Sequence, residues 1–405
     1  MRQTRYHLSW LAAVLLGIAG GAQATVYRPA SATSVIDTLP AGSATYETRL
    51  ISHPVSAHGS PAKAPPFEQV EPQIQALLSR SYSQGDPRAL GQAQSLLEPY
   101  ASDNSPSVRI LRANILQASH DFDGARRELQ AILKQIPDQA DSILMLSSID
   151  LVQGHFDAAR DGCDHIRDMG LMVLRFACIA QVDAMTGKLA SSRDMLAKIA
   201  QINNGLTTSQ ERWLELILAD MALRLDDPVL AKTVFEQLDG VSAPSLTARA
   251  DWLLAHQAWA QTQQLLASHT DNDALLLRLV MAELRLKDPQ AQAHYQLLAE
   301  RMKVWQERGE TAHQREQAMF ALMQNPPDKA LQLARLNWQK QRETADVVVY
   351  ANAALHAQSQ ADLQVLEAWI KQTGFEYPRL NVVVQHALSP DSAANLKLPV
   401  TGAQP

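Results

Sequence analysis

The sequence predicts an all-α fold, an α-solenoid of stacked helical pairs, and three observations carry that prediction. Glycine is scarce, 17 in 405 residues, and aromatics reach only 5% while 46% of the residues are hydrophobic. Few turn formers with enough apolar material for a core favour helix over a turn-rich all-β fold. Apolar positions recur at helical spacing between breakers such as Gly85-Asp86-Pro87, Asn104-Ser105-Pro106, Asp227-Pro228 and Asn325-Pro326-Pro327, and no run shows the alternation of a strand. Finally, Phe122, Asp123, Ala125 and Arg126 each return 34 residues later, as Phe156, Asp157, Ala159 and Arg160. Length alone suits two or three domains or one long array; the repeat decides for the array.

Met1 to Ala24 reads as a secretory signal peptide. Arg2 and Arg5 form a basic start, Leu8 to Ala19 is apolar apart from Ser9 and Gly17, and Ala22-Gln23-Ala24 supplies a small-x-small cleavage site. The apolar run of about 12 to 14 residues is short of the ~20 that a spanning helix needs, and no later run approaches that length. Removing Arg2 and Arg5 from the 36 basic residues leaves 34 against 42 acidic ones, so the net charge moves from −6 to −8. An acidic chain with two cysteines excludes general nucleic-acid affinity, a disulfide scaffold and a four-thiolate zinc site. The expectation is an exported protein with no transmembrane segment in its mature chain, periplasmic in a two-membrane cell, with full secretion as the alternative.

Residues 25–66, with Pro29, Pro40, Pro54, Pro61, Pro65 and Pro66, read as a flexible lead, and 389–405 as a matching tail. Between them 67–388 is expected to be helical throughout. Phe67 to Tyr100 forms one divergent hairpin. Each Phe-Asp-x-Ala-Arg block then opens a helix that continues apolar, as in Ala125, Leu129, Ile132 and Leu133, and each is preceded by another helical stretch, Val108 to Ala118 and Ile143 to Val152.

These residues resemble the tetratricopeptide repeat, a pair of antiparallel helices 34 residues long. Ala113 and Leu116 match the small and large positions of its first helix; Ala125, Leu129, Ile132 and the closing Pro137 match its second. The next unit keeps Ser147, Gly154, Phe156, Ala159, Cys163 and Ile166, with Leu171 where the closing proline would stand. Gly187, Leu189, Ser192, Leu196 and Ile199 mark a third, so the clearest repeats cover about 106–205. Ala219, Ala231, Phe235 and Leu238 mark a fourth, Trp252 to Leu266 a short fifth, and Asn272 to Glu307, Ala312 to Lys340 and Ala345 to Thr373 later hairpins, eight or nine in all.

The resemblance implies an inner groove lined by the first helix of each unit, able to take an extended peptide. Its positions here are Ile110, Asn114 and Gln117; Leu144, Ser148 and Leu151; Ala177, Gln181 and Met185; Leu216 and Asp220. Amides and hydroxyls between apolar side chains suit a peptide backbone with apolar side chains. Some family members grip a C-terminal carboxylate with paired Lys and Asn; Asn114 holds one such position, but no lysine stands at the partner positions. The resemblance also places Cys163 on the second helix of one unit and Cys178 on the first of the next. Those two helices pack together, so a disulfide is expected in an oxidising compartment.

No chemistry-bearing motif competes with this reading. The 12 histidines include no His-Glu-x-x-His; His53 and His58 fall in the lead, and His120 and His155 at turns where solvation is expected. No Gly-x-Ser-x-Gly or phosphate-cradling loop is present. Acidic residues such as Asp220, Asp226, Asp227, Asp271 and Asp273 read as solvated faces or helix starts. No metal site or cofactor is expected. A stretch holding Arg315, Trp338 and Arg342 offers a second protein-binding face, although Trp338 packed between hairpins with solvated charges is the preferred account. The expected function is a non-catalytic scaffold or adaptor for a protein or peptide of the cell envelope. The rivals are an envelope enzyme or its accessory domain, and a structural spacer whose groove is filled by its own lead.

Overall fold

The computed structural model describes residues 64–167, 169–201, 206–238, 240–307, 313–324 and 327–389. The signal segment and nearly all of the lead and tail expected from the sequence lie outside these residues. Among the described residues there are 19 α-helices and no strand. They pair in order as α1 (Phe67–Gln84) with α2 (Pro87–Leu97), α3 (Pro106–Ala118) with α4 (Phe122–Gln135), and α5 (Ala140–Val152) with α6 (Phe156–His165). Next come α7 (Met172–Met185) with α8 (Leu189–Ala200), α9 (Thr208–Leu225) with α10 (Pro228–Gln237), and α11 (Ala243–Ala255) with α12 (Trp259–Leu266). The last pairs are α13 (Asp273–Leu286) with α14 (Ala291–Glu307), α15 (Gln314–Gln324) with α16 (Pro327–Trp338), and α17 (Thr344–His356) with α18 (Gln360–Thr373); α19 (Pro378–Leu388) closes the array.

Local chemistry sets the helix ends. Pro87, Pro106, Pro228 and Pro378 open helices where a missing N–H costs nothing. Asp121 caps α4 by accepting from the Gly124 N–H (2.8 Å), and Thr207 with Gln210 forms a capping box at α9. The turn inside a hairpin repeats one device, a residue with left-handed φ just after the first helix: Gly85, His120, Gly154, Gly187, Asp226, Gln257, Lys287 and Gln358. Only the α15–α16 turn, part of which lies outside the described residues, is missing from this series. The unit therefore persists well beyond the region where its sequence pattern fades.

Inner and outer helices differ in what they bury. The second helices bury one stripe: Phe156, Ala159 and Cys163 on α6, Leu189, Ser192 and Leu196 on α8, Ala231 and Val234 on α10. First helices of the middle and C-terminal hairpins are buried nearly all round, over 142–145 and 147–152 on α5, 274–283 on α13 and 314–322 on α15. A helix hydrophobic and buried on every side is surrounded by protein. One core runs from Ile143 on α5 to Val384 on α19, while α1–α3 and α3–α5 hold two smaller clusters.

The inner helices are covered because the array closes on itself. The Asn272 side chain donates to Gln84 O (3.0 Å), and Gln341 Nε2 donates to His120 Nδ1 (2.9 Å). The Arg342 N–H donates to Val152 O (2.8 Å), and the Leu189 N–H to Glu376 Oε2 (2.7 Å). Gly187 and Gly374 meet backbone to backbone, so that a Cβ on Gly374 would lie 3.3 Å from Gly187 Cα. Left-handed φ and this close approach together explain glycine at both positions. The corners of the N-terminal hairpins thus form a seam with the C-terminal ones.

Cys163 on α6 and Cys178 on α7 lie at disulfide distance, with Cα atoms 5.7 Å apart and 15 residues between them in sequence. Both are buried. Reducing this bond should lower stability by roughly 3 kcal/mol by the entropy of the loop it closes, read as a shift of the urea midpoint with and without reductant. Full alkylation of both thiols in exported, unreduced protein would sink the assignment.

Candidate functional site

A half-open chamber of about 130 Å³ lies on the inner side of the array. Its walls come from the first helices of successive hairpins: Leu151 on α5, Gln181, Ala184 and Met185 on α7, Leu216 to Arg224 on α9, and Thr247, Ala248, Asp251 and Ala255 on α11. Arg278 on α13, Arg315 and Met319 on α15, and residues 342–345, 348 and 349 at the start of α17 close it, with Tyr377 ahead of α19. No second helix of a hairpin contributes. The lining is mostly apolar, which suits an apolar guest.

Of the eleven positions nominated from the sequence, five share this chamber: Leu151, Gln181, Met185, Leu216 and Asp220. Ile110, Asn114, Gln117, Leu144, Ser148 and Ala177 do not line it. Asn114, Leu144, Ser148, Leu151, Ala177, Met185 and Leu216 are buried and the other four half-buried, so no nominated position stands on an open groove. Asn114 spends an amide hydrogen on its own helix, at Ile110 O (2.8 Å).

Four arginines line the chamber, and three are neutralised by carboxylates. Arg278 grips Asp251 with two hydrogen bonds of 2.6 and 2.8 Å. Arg224, fully buried, donates to Ala184 O (2.6 Å), Glu376 O (3.0 Å) and Asp220 (3.3 Å), and its guanidinium lies over the Phe375 ring at 4.5 Å. Burial pulls the Arg224 pKa below its ordinary value, with Asp220 and Glu376 opposing. Arg315 faces Asp346 (3.2 Å), Glu343 (3.3 Å) and Glu316 (3.4 Å). Burial works against its charge, but Asp346, Glu316 and Glu343 outweigh burial and raise its pKa. Burial raises the Asp346 pKa against the pull of Arg315 and Asn337. Asp346 also accepts from Asn337 Nδ2 (2.7 Å) and from the Glu343 N–H (2.9 Å), capping α17. Tyr377 is pushed up to about 12 by burial and then by Asp220, and stays neutral.

Arg342 differs. It forms no ion pair among the described residues, and its buried Nε has no hydrogen-bond partner within the protein. Its guanidinium carbon sits 5.5 Å from the centre of the Trp338 ring. Thr247 Oγ1, in a residue 1% exposed, also has no partner. The sequence offered Arg315, Trp338 and Arg342 as a second protein-binding face, with Trp338 packed between hairpins and solvated charges as the preferred account. Trp338 packs between hairpins as preferred, against Tyr350 and Trp369, but Arg315 is buried and both arginines face inward.

Arg224, Arg278 and Thr247 were not nominated, although Leu223-Arg224-Leu225 and Leu277-Arg278-Leu279 set a cation amid apolar neighbours, a signal for a buried partner. His120 departs from the expected solvation: burial, then His313 and Arg315, push its pKa down to about 3. Asp227 starts a helix as expected, accepting from the N–H groups of Val229 and Leu230. Among the described residues no group of three His, Cys, Asp or Glu is placed to hold a metal ion, and no helix is long and apolar enough to cross a membrane. No model of a known protein family matches the chain, and no curated protein matches it either.

Proposed function

We propose that this chain is an exported, non-catalytic scaffold of tetratricopeptide type that holds a protein partner by seating a short apolar segment of it in the inner chamber. The carrying observation is the chamber's construction: mostly apolar walls drawn only from first helices, with five nominated positions together. A short segment fits better than a long extended peptide, because the closed array leaves no nominated position on an open groove. The non-catalytic reading rests on the chamber's carboxylates: Asp220, Asp251 and Glu343 each have an arginine partner, and an acid so paired is poorly placed for proton transfer. Export rests on the Met1–Ala24 pattern together with the Cys163–Cys178 pair, which suits an oxidising compartment such as the periplasm.

A spacer is the second reading, and one observation favours it: α15 and α17 with the Glu376 region cover the inner face with the protein's own chain. A photo-crosslinking residue at Gln181, compared with one at the exposed Val229 on α10, separates the two. The expected result is a discrete adduct with another protein from Gln181 only. Internal crosslinks alone from Gln181 would leave the spacer.

A further inference from the structure

Resting on the chamber as a binding site, we propose that its guest is an apolar chain bearing one carboxylate, with Arg342 and Thr247 as the polar contacts. The charge inventory leads there. Arg224 has Asp220, Arg278 has Asp251, and Arg315 has Glu343 with Glu316 and Asp346 behind it. Arg342 alone keeps an uncompensated charge on the chamber wall. Its neighbour Glu343 does not supply the missing anion, because that carboxylate is directed to Arg315.

Arg342 is held for this task at its root and its stem. Its N–H is bonded to Val152 O (2.8 Å), its side chain lies against Gly154, and its guanidinium rests on Trp338. A side chain or Cβ at position 154 would meet Arg342 Cδ at 2.9 Å, so glycine there leaves room for the arginine as well as supplying the left-handed turn. A guanidinium fixed in this way loses little freedom on meeting an anion. Its buried Nε–H is an unused donor, and a buried donor without a partner is costly until an acceptor arrives. Thr247 on α11, 1% exposed, lines the same space and holds a second unused polar atom, its Oγ1. Around both, Met185, Leu216, Met319 and Val348 offer apolar contact and no polar atom that would need a partner. One anionic end and one apolar body is the chemistry that satisfies all of these surfaces.

Such chemistry has two sources, a free aliphatic acid or an acidic residue in an apolar stretch of a partner, and the test has an arm for each. Affinities for the mature full-length protein are measured by calorimetry for decanoate against decanamide, and for acetyl-Leu-Leu-Glu-amide against acetyl-Leu-Leu-Gln-amide. The expected result is about tenfold or greater preference for the carboxylate member of at least one pair, as charge-assisted hydrogen bonds give. That preference should vanish in Arg342→Gln, survive in Arg342→Lys, and shrink in Thr247→Val. Circular dichroism melting of each variant keeps a folding defect distinct from lost binding. Equal affinity for acid and amide, a preference undiminished in Arg342→Gln, or no carboxylate binding up to the millimolar range overturns the proposal. The two peptides binding alike, with decanoate no tighter than decanamide, would remove this inference and leave the segment reading. Decanoate binding with neither peptide binding would do the reverse.

Discussion

Replacing Arg315 by methionine is expected to lower stability by about 3–5 kcal/mol, because it strands buried carboxylates that share one cation. Arg315, Glu316 and Asp346 are all about 5% exposed or less, and Glu343 closes the set from the start of α17. Methionine keeps much of the volume, so the loss isolates charge from packing. The pH dependence fixes the cause. Burial raises the Glu316 carboxyl pKa, and Arg315 first, then His313 and Arg278, more than reverse this, so it lies below the ordinary value. In the variant the largest of those cations is gone, and burial should lift Glu316 and Asp346 above their unfolded values. A carboxyl with a raised folded pKa favours folding below its unfolded value, near 4, and loses that favour as pH rises through the folded one. The deficit should therefore be largest at pH 8 and smaller at pH 5, by urea unfolding at both. Lys303→Met, in the exposed Lys303–Glu307 pair, serves as the contrast and should change stability by about 1 kcal/mol or less. A deficit for Arg315→Met equal at the two pH values would sink the account.

The same cluster shows where sequence reading stops. Gln314-Arg315-Glu316-Gln317 is polar at every position and reads as a solvated face, yet all four residues are buried at the start of α15. Glu343 and Asp346, the partners of Arg315, lie at the start of α17, with Asn337 of α16 donating to Asp346, and no local periodicity announces them. By contrast, the Phe122 and Phe156 blocks were legible because a repeated unit writes its register into the chain, and they open α4 and α6. The later hairpins were found with poorer edges. Helix α11 begins at Ala243 and not near Trp252, since Pro244 occupies a helix start where it resembles a breaker. Helix α19, only 11 residues long, falls inside the expected helical span 67–388 but beyond the last expected hairpin, which ends at Thr373. The recurring left-handed turn was hidden because His120, Asp226, Gln257, Lys287 and Gln358 hold it more often than glycine does. Closure was the largest thing missed. The Gln341–His120 and Leu189–Glu376 bonds join residues 221 and 187 apart, and a pattern that repeats every hairpin says nothing about which distant corners meet. Leu151, Met185 and Leu216 lie on the first helices α5, α7 and α9, while what faces them across the chamber is set by that closure.

The seam supplies the second large effect. Trp369→Ala is expected to cost about 3–5 kcal/mol, the range for deleting a buried aromatic ring from a packed core. Trp369 is 9% exposed and its ring meets Trp338 at 5.1 Å, Phe375 at 5.3 Å and Phe156 at 6.3 Å. Phe156 is a repeat residue of the third hairpin, whereas Trp338 and Phe375 belong to the C-terminal elements, so one side chain ties the two sides of the seam. The loss should be uneven. The Leu189 N–H, bonded to Glu376, and the Arg342 N–H, bonded to Val152 O, should exchange faster, because each crosses the seam. Amides in α1 and α2 should keep their protection at concentrations where the global fold survives, since their core is a separate cluster around Ile74, Leu90 and Leu111. Trp369→Phe should retain a good part of the wild-type value, as the edge contact with Trp338 and the tilted one with Phe375 need a ring more than an indole. Equal loss of protection in α1 and at the seam would mean that the array unfolds as one unit, and that Trp369 supports the whole instead of its closure. If the seam alone loosens, binding in the chamber should weaken with it, because Leu151 and Met185 come from one side and Arg342 and Val348 from the other. Closure then becomes the step that builds the site: the repeats supply inner walls, and the distant contacts decide whether those walls face each other.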